Sequence, residues 1–258
     1  MRYASTFVAR YANRSSILLW ELGNELNLQV NLPPPWCGDE QCFNTDEMVT
    51  FTKAMATAIR GGDPSGRPIS SGFSAPRPSA WHQEHCPMQG VCTADPSSKG
   101  YWATDTQAQW LEMLHAQHAG LEIWSIHIYD NSVAWPSSRV QVVDAATKAA
   151  GDAQAMLFVG EYGGPTPNYT GPTAADQAFP QAILQAQVAD AHAGGAFGLS
   201  ALWAWQCPTH RDSMVCVWPG STVKNESGSD AMVHMLQQAN AQLAPQPSSA
   251  AARRRGSV

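Results

Sequence analysis

The chain has 258 residues, 44% of them hydrophobic and 14% charged, with a formal net charge of −6. That length suits one domain with a sizeable core, since α/β barrels run at about 250 residues as a single unit. The acidic balance argues against a nucleic-acid partner or an anionic membrane surface, and no apolar run reaches the roughly 20 residues that cross a bilayer.

Residues 1–14 carry Tyr3, Phe7, Val8 and Tyr11 at helical spacing. Residues 17–20 are a short apolar run ending in polar residues, the pattern of a buried parallel strand. A Pro-rich loop over 28–45 precedes a helix over 45–60, where Asp46 and Glu47 suit the helix dipole and Gly61 and Gly62 are expected to stop it. Residues 68–73 read as the next strand and 74–104 as a long loop. Thr104 is expected to cap a helix to 118. Then come a strand over 121–129, a helix over 138–150, a strand over 155–161, a helix over 173–193, a strand over 197–205 and a helix over 230–243. Residues 245–258 read as a disordered tail whose Arg253, Arg254 and Arg255 are solvated. Strands that alternate strictly with helices predict an α/β fold with a parallel sheet. Five strands cannot close an eight-stranded barrel. Residues 1–244 therefore read as the later part of a (β/α)8 barrel, with three βα units missing from the front or supplied by a partner.

The cysteines fall in close pairs, Cys37/Cys42, Cys86/Cys92 and Cys207/Cys216, each within one predicted loop. Local pairs in even number point to small disulfide-closed loops, and no Cys-x-x-Cys spacing favours zinc. Sequons at Asn13, Asn168 and Asn225 fit the same oxidising compartment, extracellular or secretory. Met1 leads straight into a helical pattern without a signal peptide, so the native start is expected to lie elsewhere.

Function in βα proteins gathers at the carboxyl ends of the strands. The strand over 17–20 runs into Trp20-Glu21-Leu22-Gly23-Asn24-Glu25, where a break near Gly23 lets Asn24 and Glu25 both face a site. Glu21 is expected lower down, buried and paired. The strand over 121–129 ends in His127-Ile128-Tyr129, with His127 and Tyr129 on one face by the period of two. The strand over 155–161 ends in Gly160-Glu161, and the last strand carries Trp203 and Trp205 on a shared face. Two Glu at the ends of separate strands can converge over the sheet's mouth. Retaining glycoside hydrolysis needs such a pair, about 5–5.5 Å apart, one to protonate the leaving oxygen and one to attack the anomeric carbon. The acid is expected to have a raised pKa, from burial or from the second carboxylate. Trp81-His82 in the long loop is a further candidate for lining a glycan cleft, as are Trp102, Trp135 and Trp218. No phosphate loop, Ser-His-Asp order or His-x-x-x-His metal pair is present, so neither cofactor nor metal is expected.

In order, the segments WELGNE, SIHIY, FVGEYG and ALWAWQ resemble the last five strands of clan A glycoside hydrolases, most closely family 5, the cellulase and β-mannanase family. The likeness covers roughly residues 1–240. It implies Glu25 as acid/base, Glu161 as nucleophile, Asn24 as the ligand of the sugar 2-OH, His127 and Tyr129 as positioning residues, and Trp205 as the sugar platform. Two departures stand out: the motif reads Asn-Glu-Leu where the family has Asn-Glu-Pro, and the family's first three strands have no counterpart. The implied activity is retaining cleavage of a β-1,4-glucan or β-1,4-mannan by a monomer. The alternatives are a truncated carbohydrate-binding fragment and a transglycosylase on the same fold.

Overall fold

A computed structural model describes residues 1–34, 36–37, 42–129, 139–163, 174–203 and 227–244, excepting the side chains of 174–177 and 227–232. The elements run α1 (Arg2–Tyr11), β1 (Trp20–Glu21), a 3₁₀ helix (Leu26–Gln29), α2 (Thr45–Gly62), β2 (Ile69–Ser70), α3 (Ala80–His85), α4 (Gln107–Gln117), β3 (Ile123–Ile128), α5 (Arg139–Asp152), β4 (Met156–Tyr162), α6 (Ala174–Ala193), β5 (Phe197–Leu202) and α7 (Ser227–Leu243). The five strands form one parallel sheet in the order β1-β2-β3-β4-β5. Neighbours in space are neighbours in sequence, joined by helices. A doubly wound sheet would reverse its order partway; a sheet that never reverses is the wall of a (β/α)8 barrel, here in part.

Capping explains where the helices start. Asn44 and Glu47 form a reciprocal capping box at α2, and Thr106 and Gln109 form another at α4, so that helix begins two residues beyond the expected Thr104. Gly61 and Gly62 do not stop α2; they lie in its last turn, and the cap is Asp63. Gly62 instead allows α1 and α2 to meet, since a Cβ there would stand 3.2 Å from both Ser5 O and Val8 Cγ1. Asp63 is buried and ties the base of the sheet together. It accepts from Trp20 Nε1 at 2.7 Å and from Arg67 at 2.8 Å, while Arg67 also donates to the carbonyls of Ala12, Arg14 and Ile17. The expected aromatic face of α1 turns outward: Ala4 and Val8 are buried, whereas Tyr3 and Phe7 are exposed and stack on each other.

The main core packs one face of the sheet against α4, α5 and α6. It contains Trp124, Ile126 and Ile128 of β3, Leu157 and Val159 of β4, and Trp110, Val142, Val143, Ala146 and Ile183 from the helices. β3 is buried at all six positions, as a parallel strand covered on both faces should be. Its alternate residues Ser125 and His127 therefore point to the barrel side. Disulfides close Cys37–Cys42 and Cys86–Cys92. Cys207, Cys216, Asn168, Asn225 and the tail over 245–258 lie outside the described residues, and Asn13 is exposed.

Candidate active site

Glu25 follows β1 through a turn that only particular residues allow. Gly72 has a φ of +66°, and a Cβ there would overlap Gly23 O at 1.8 Å and crowd Glu21 Cγ at 2.7 Å. That close approach carries the strand pairing onward, with Glu25 N donating to Gly72 O at 2.7 Å. Glu25 itself is left-handed, with φ 55° and ψ 29°. This conformation is uncommon and costly for a residue with a side chain, and such positions concentrate at functional sites. The 3₁₀ helix after it is anchored by Asn27, which donates to Ser74 O at 2.7 Å and to Gln117 Oε1 at 2.9 Å while accepting from Ser74 N at 3.0 Å. Half-buried Arg77 donates to the carbonyls of Leu28 and Val30 and to Gln83 Oε1. Burial lowers its guanidinium to about 10, still charged at neutral pH.

Glu161 reaches the same place by a different device. Strict alternation would put it with Leu157 and Val159 on the helix-facing side of β4. The register slips between Ile126 and His127, so that Ile126 pairs with Val159 but His127 pairs with Glu161. The additional residue, Gly160, reverses the phase: Tyr162 joins the helix-facing core and Glu161 turns to the barrel side. Bulges beside active sites re-aim side chains in this way. Gly160 lets the imidazole of His127 sit close, for a Cβ would stand 2.8 Å from Ser125 Oγ and 2.9 Å from His127 Nε2.

His127 Nδ1 lies 3.0 Å from Glu25 Oε1 and 3.6 Å from Glu161 Oε1. One carboxylate oxygen of each Glu and one ring nitrogen of His127 all fall within 4.8 Å of one another. Their side chains are 27% exposed at Glu25, 15% at Glu161 and 2% at His127, so the carboxylates meet solvent over a buried ring. The Tyr129 hydroxyl donates to Glu161 Oε2 at 2.5 Å. Burial, then the hydrogen bond and charge of Glu161, push that hydroxyl well above its ordinary value, so it remains a protonated donor. Glu25 moves the other way. Its hydrogen bond with His127 holds it below the usual carboxylate value of 4.5; burial opposes this, and the charge of His127 and the Ser74 hydroxyl reinforce it. The sequence predicts a raised pKa, but the hydrogen bond with the adjacent imidazole outweighs burial in this arrangement.

Of the residues singled out in the sequence, Glu25, His127, Tyr129 and Glu161 come together. Asn24 is exposed beside Glu25. Trp205, Trp135 and Trp218 lie outside the described residues, while Trp203 is 44% exposed. Trp81, the candidate for lining a glycan cleft, is 9% exposed, packed with Cys86, Cys92 and Met113, and stacked on His85 at 4.3 Å. Its neighbour His82 is locked between Asp105 at 2.7 Å and Asp95 at 3.3 Å. Glu21 is exposed rather than buried and accepts from Ser70 Oγ at 3.1 Å. Trp36 and Trp102, by contrast, are exposed and meet edge to face at 6.1 Å. Ser125, Gly160 and Gly72 escaped the sequence reading because their roles depend on register and close approach.

No family profile matches the sequence, and no curated protein matches it. Solved structures do. An endo-β-1,4-mannanase from Thermotoga petrophila aligns over 96% of this chain and 50% of its own, at 14% identity and TM-score 0.57. A glycoside hydrolase family 5 mannosidase from Rhizomucor miehei aligns over 90% and 52%, at 14% identity and TM-score 0.54. An endo-β-1,4-glucanase from Xanthomonas axonopodis pv. citri, a triple mutant, aligns over 92% and 64%, at 12% identity and TM-score 0.56. The chain spans about half the length of the first two. It has the fold of part of the barrel found in these cellulase and mannanase structures.

Proposed function

We propose that this site cleaves β-1,4-glycosidic bonds of a glucan or mannan with retention, Glu25 serving as acid/base and Glu161 as nucleophile. The observation that carries the proposal is the convergence of two carboxylates within 4.8 Å from separate strand ends, the spacing class of retaining rather than inverting enzymes. Tyr129 supports the division of roles. Its hydroxyl fixes Glu161 Oε2, leaving Oε1 for attack on the anomeric carbon. Glu25 is more exposed and paired with His127, which suits a group that gives a proton to the leaving oxygen and then takes one from water. Asn24 binds the 2-OH. Because His127 lowers Glu25, the acid form survives only at acidic pH, and the enzyme works on that side of neutrality. Two disulfides suit a secreted protein.

The test is the stereochemistry of the product. Proton NMR of freshly cleaved oligosaccharide should show the β-anomer first. Initial release of the α-anomer would reject retention. Glu25→Ala should be rescued by azide with formation of a β-glycosyl azide, and Glu161→Gln should be inactive. One observation favours a second reading, sugar binding without turnover: in the described sheet β1 and β5 are each paired on one side only. Cellohexaose or mannohexaose bound by the native chain but never cleaved would select that reading.

A further inference from the structure

We infer that Glu25, His127 and Glu161 form a chelating site for a divalent transition-metal ion, with Zn²⁺ the representative probe. No metal motif is spelled out by residue spacing along the chain; the fold assembles one from three separate segments. His127 Nδ1 stands 3.0 Å from Glu25 Oε1 and 3.6 Å from Glu161 Oε1. Ligand atoms about 2.0–2.2 Å from a tetrahedral zinc lie about 3.4 Å from each other, so both His–Glu edges already bracket the required value. The third edge is at most 4.8 Å. It closes by a swing of roughly 1 Å in one partly exposed Glu side chain, a motion that rotamer freedom supplies.

The atoms behind the ligands are arranged as metal sites require. Tyr129 binds Glu161 Oε2 at 2.5 Å and leaves Oε1 turned toward the imidazole. On the far side of the ring, His127 Nε2 and Ser125 Oγ converge on the space above Gly160. Ser125 is fully buried, and its hydroxyl has no hydrogen-bond partner among the described residues. A binding ion would displace the Nδ1 proton that now bonds Glu25, and an Nε2–H directed at the Ser125 hydroxyl, directly or through water, would then hold the ring's lone pair on Nδ1, facing the two carboxylates. A mixed set of imidazole and carboxylates suits zinc and its neighbours, whereas Mg²⁺ and Ca²⁺ prefer all-oxygen shells. A bound ion would occupy both carboxylates, so it would also block hydrolysis. That consequence alone rests on the glycosidase proposal; metal binding itself does not.

Isothermal titration of the whole chain with ZnCl₂ tests the site without reference to activity. One equivalent should bind, more weakly as pH falls, because protons compete for the ligands. His127→Ala should abolish the binding, and Glu161→Gln and Glu25→Gln, which preserve side-chain volume, should each weaken it at least 10-fold. Tyr129→Phe and Ser125→Ala should weaken it about 10–100-fold, the usual effect of removing a ligand's supporting contact. His192→Ala, at an exposed position on α6, should leave it unchanged. No binding by the native chain would overturn the inference. So would Zn²⁺ affinity that survives both Glu→Gln changes, tracks His192, or is matched by Ca²⁺. Binding confirmed here alongside an inactive enzyme would sink the glycosidase proposal and leave the metal site standing.

Discussion

Gly160→Ala isolates the contribution of one missing methyl group to the site. Gly160 has no left-handed backbone to strain, so the effect of the substitution is steric. The new Cβ would stand 2.8 Å from Ser125 Oγ, 2.9 Å from His127 Nε2 and 3.1 Å from His127 Cδ2. Ordinary contact begins at about 3.5 Å, so the imidazole must retreat by about half an ångström. Overpacking of this kind costs about 1–3 kcal/mol, and the lost flexibility of the unfolded chain returns about 0.4–1 kcal/mol. The net destabilisation is about 1–2 kcal/mol, or about 2–8 °C in Tm for a chain of this size. The ring's retreat also stretches its contact with Glu25. Since a misplacement of about 1 Å can cost about 10²-fold in rate, hydrolysis should fall about 10-fold. Circular dichroism melts and initial rates on a soluble β-1,4-glucan or β-1,4-mannan measure the two effects. Ser125→Gly in the same chain should recover part of the stability. A variant that melts lower yet hydrolyses at the native rate would refute the claim that Gly160 sets the place of His127.

Other outcomes follow from the same geometry. Tyr129→Phe deletes a hydrogen bond to a charged group worth about 1.5–3 kcal/mol, so kcat should fall about 10- to 100-fold with little change in KM. His127→Asn removes the main cause of the lowered Glu25 pKa and leaves burial, which raises it. The alkaline limb of kcat/KM against pH should therefore move upward, and a downward shift would contradict the pairing. His118 is buried beside Phe73 and Trp124 and held down to about 4 from 6.5, chiefly by burial. Its contribution to stability is complete above about pH 6.5 and is lost as pH falls toward 4, amounting to about 3 kcal/mol at 1.36 kcal/mol per pH unit. NMR titration should find its imidazole neutral down to about pH 4; an ordinary midpoint would count against that burial.

Much of the fold was legible because βα alternation is written in hydrophobic period. β3, β4 and β5 and the helices between them fall within a few residues of their expected bounds. β1 and β2 are shorter than their apolar runs, since a strand exists only where a neighbour pairs with it and the ladder between them spans two residues. The expected stop at Gly61 failed because packing of α1 on α2 rewards a small residue inside the helix. At the site, Glu25 and Glu161 could be picked out as polar groups at the ends of apolar strands. What brings them together could not. Glu161 faces the barrel because of a bulge at Gly160, which pattern reading at period two cannot contain. The lowered pKa of Glu25 depends on a ring 102 positions away in sequence. Trp81 looked like a loop residue, but a short helix and a disulfide fold it inward.

The roles assigned to Glu161 and Glu25 are tested most directly by trapping the covalent intermediate. The chain should be treated with activated 2-deoxy-2-fluoro β-cellobioside and, separately, the corresponding β-mannobioside, then weighed intact and mapped by peptide mass spectrometry. One of the two should add a single fluoroglycosyl unit, carried as an ester on Glu161 and absent from Glu161→Gln. A label on Glu25, a label elsewhere, or no mass gain with either sugar would contradict it.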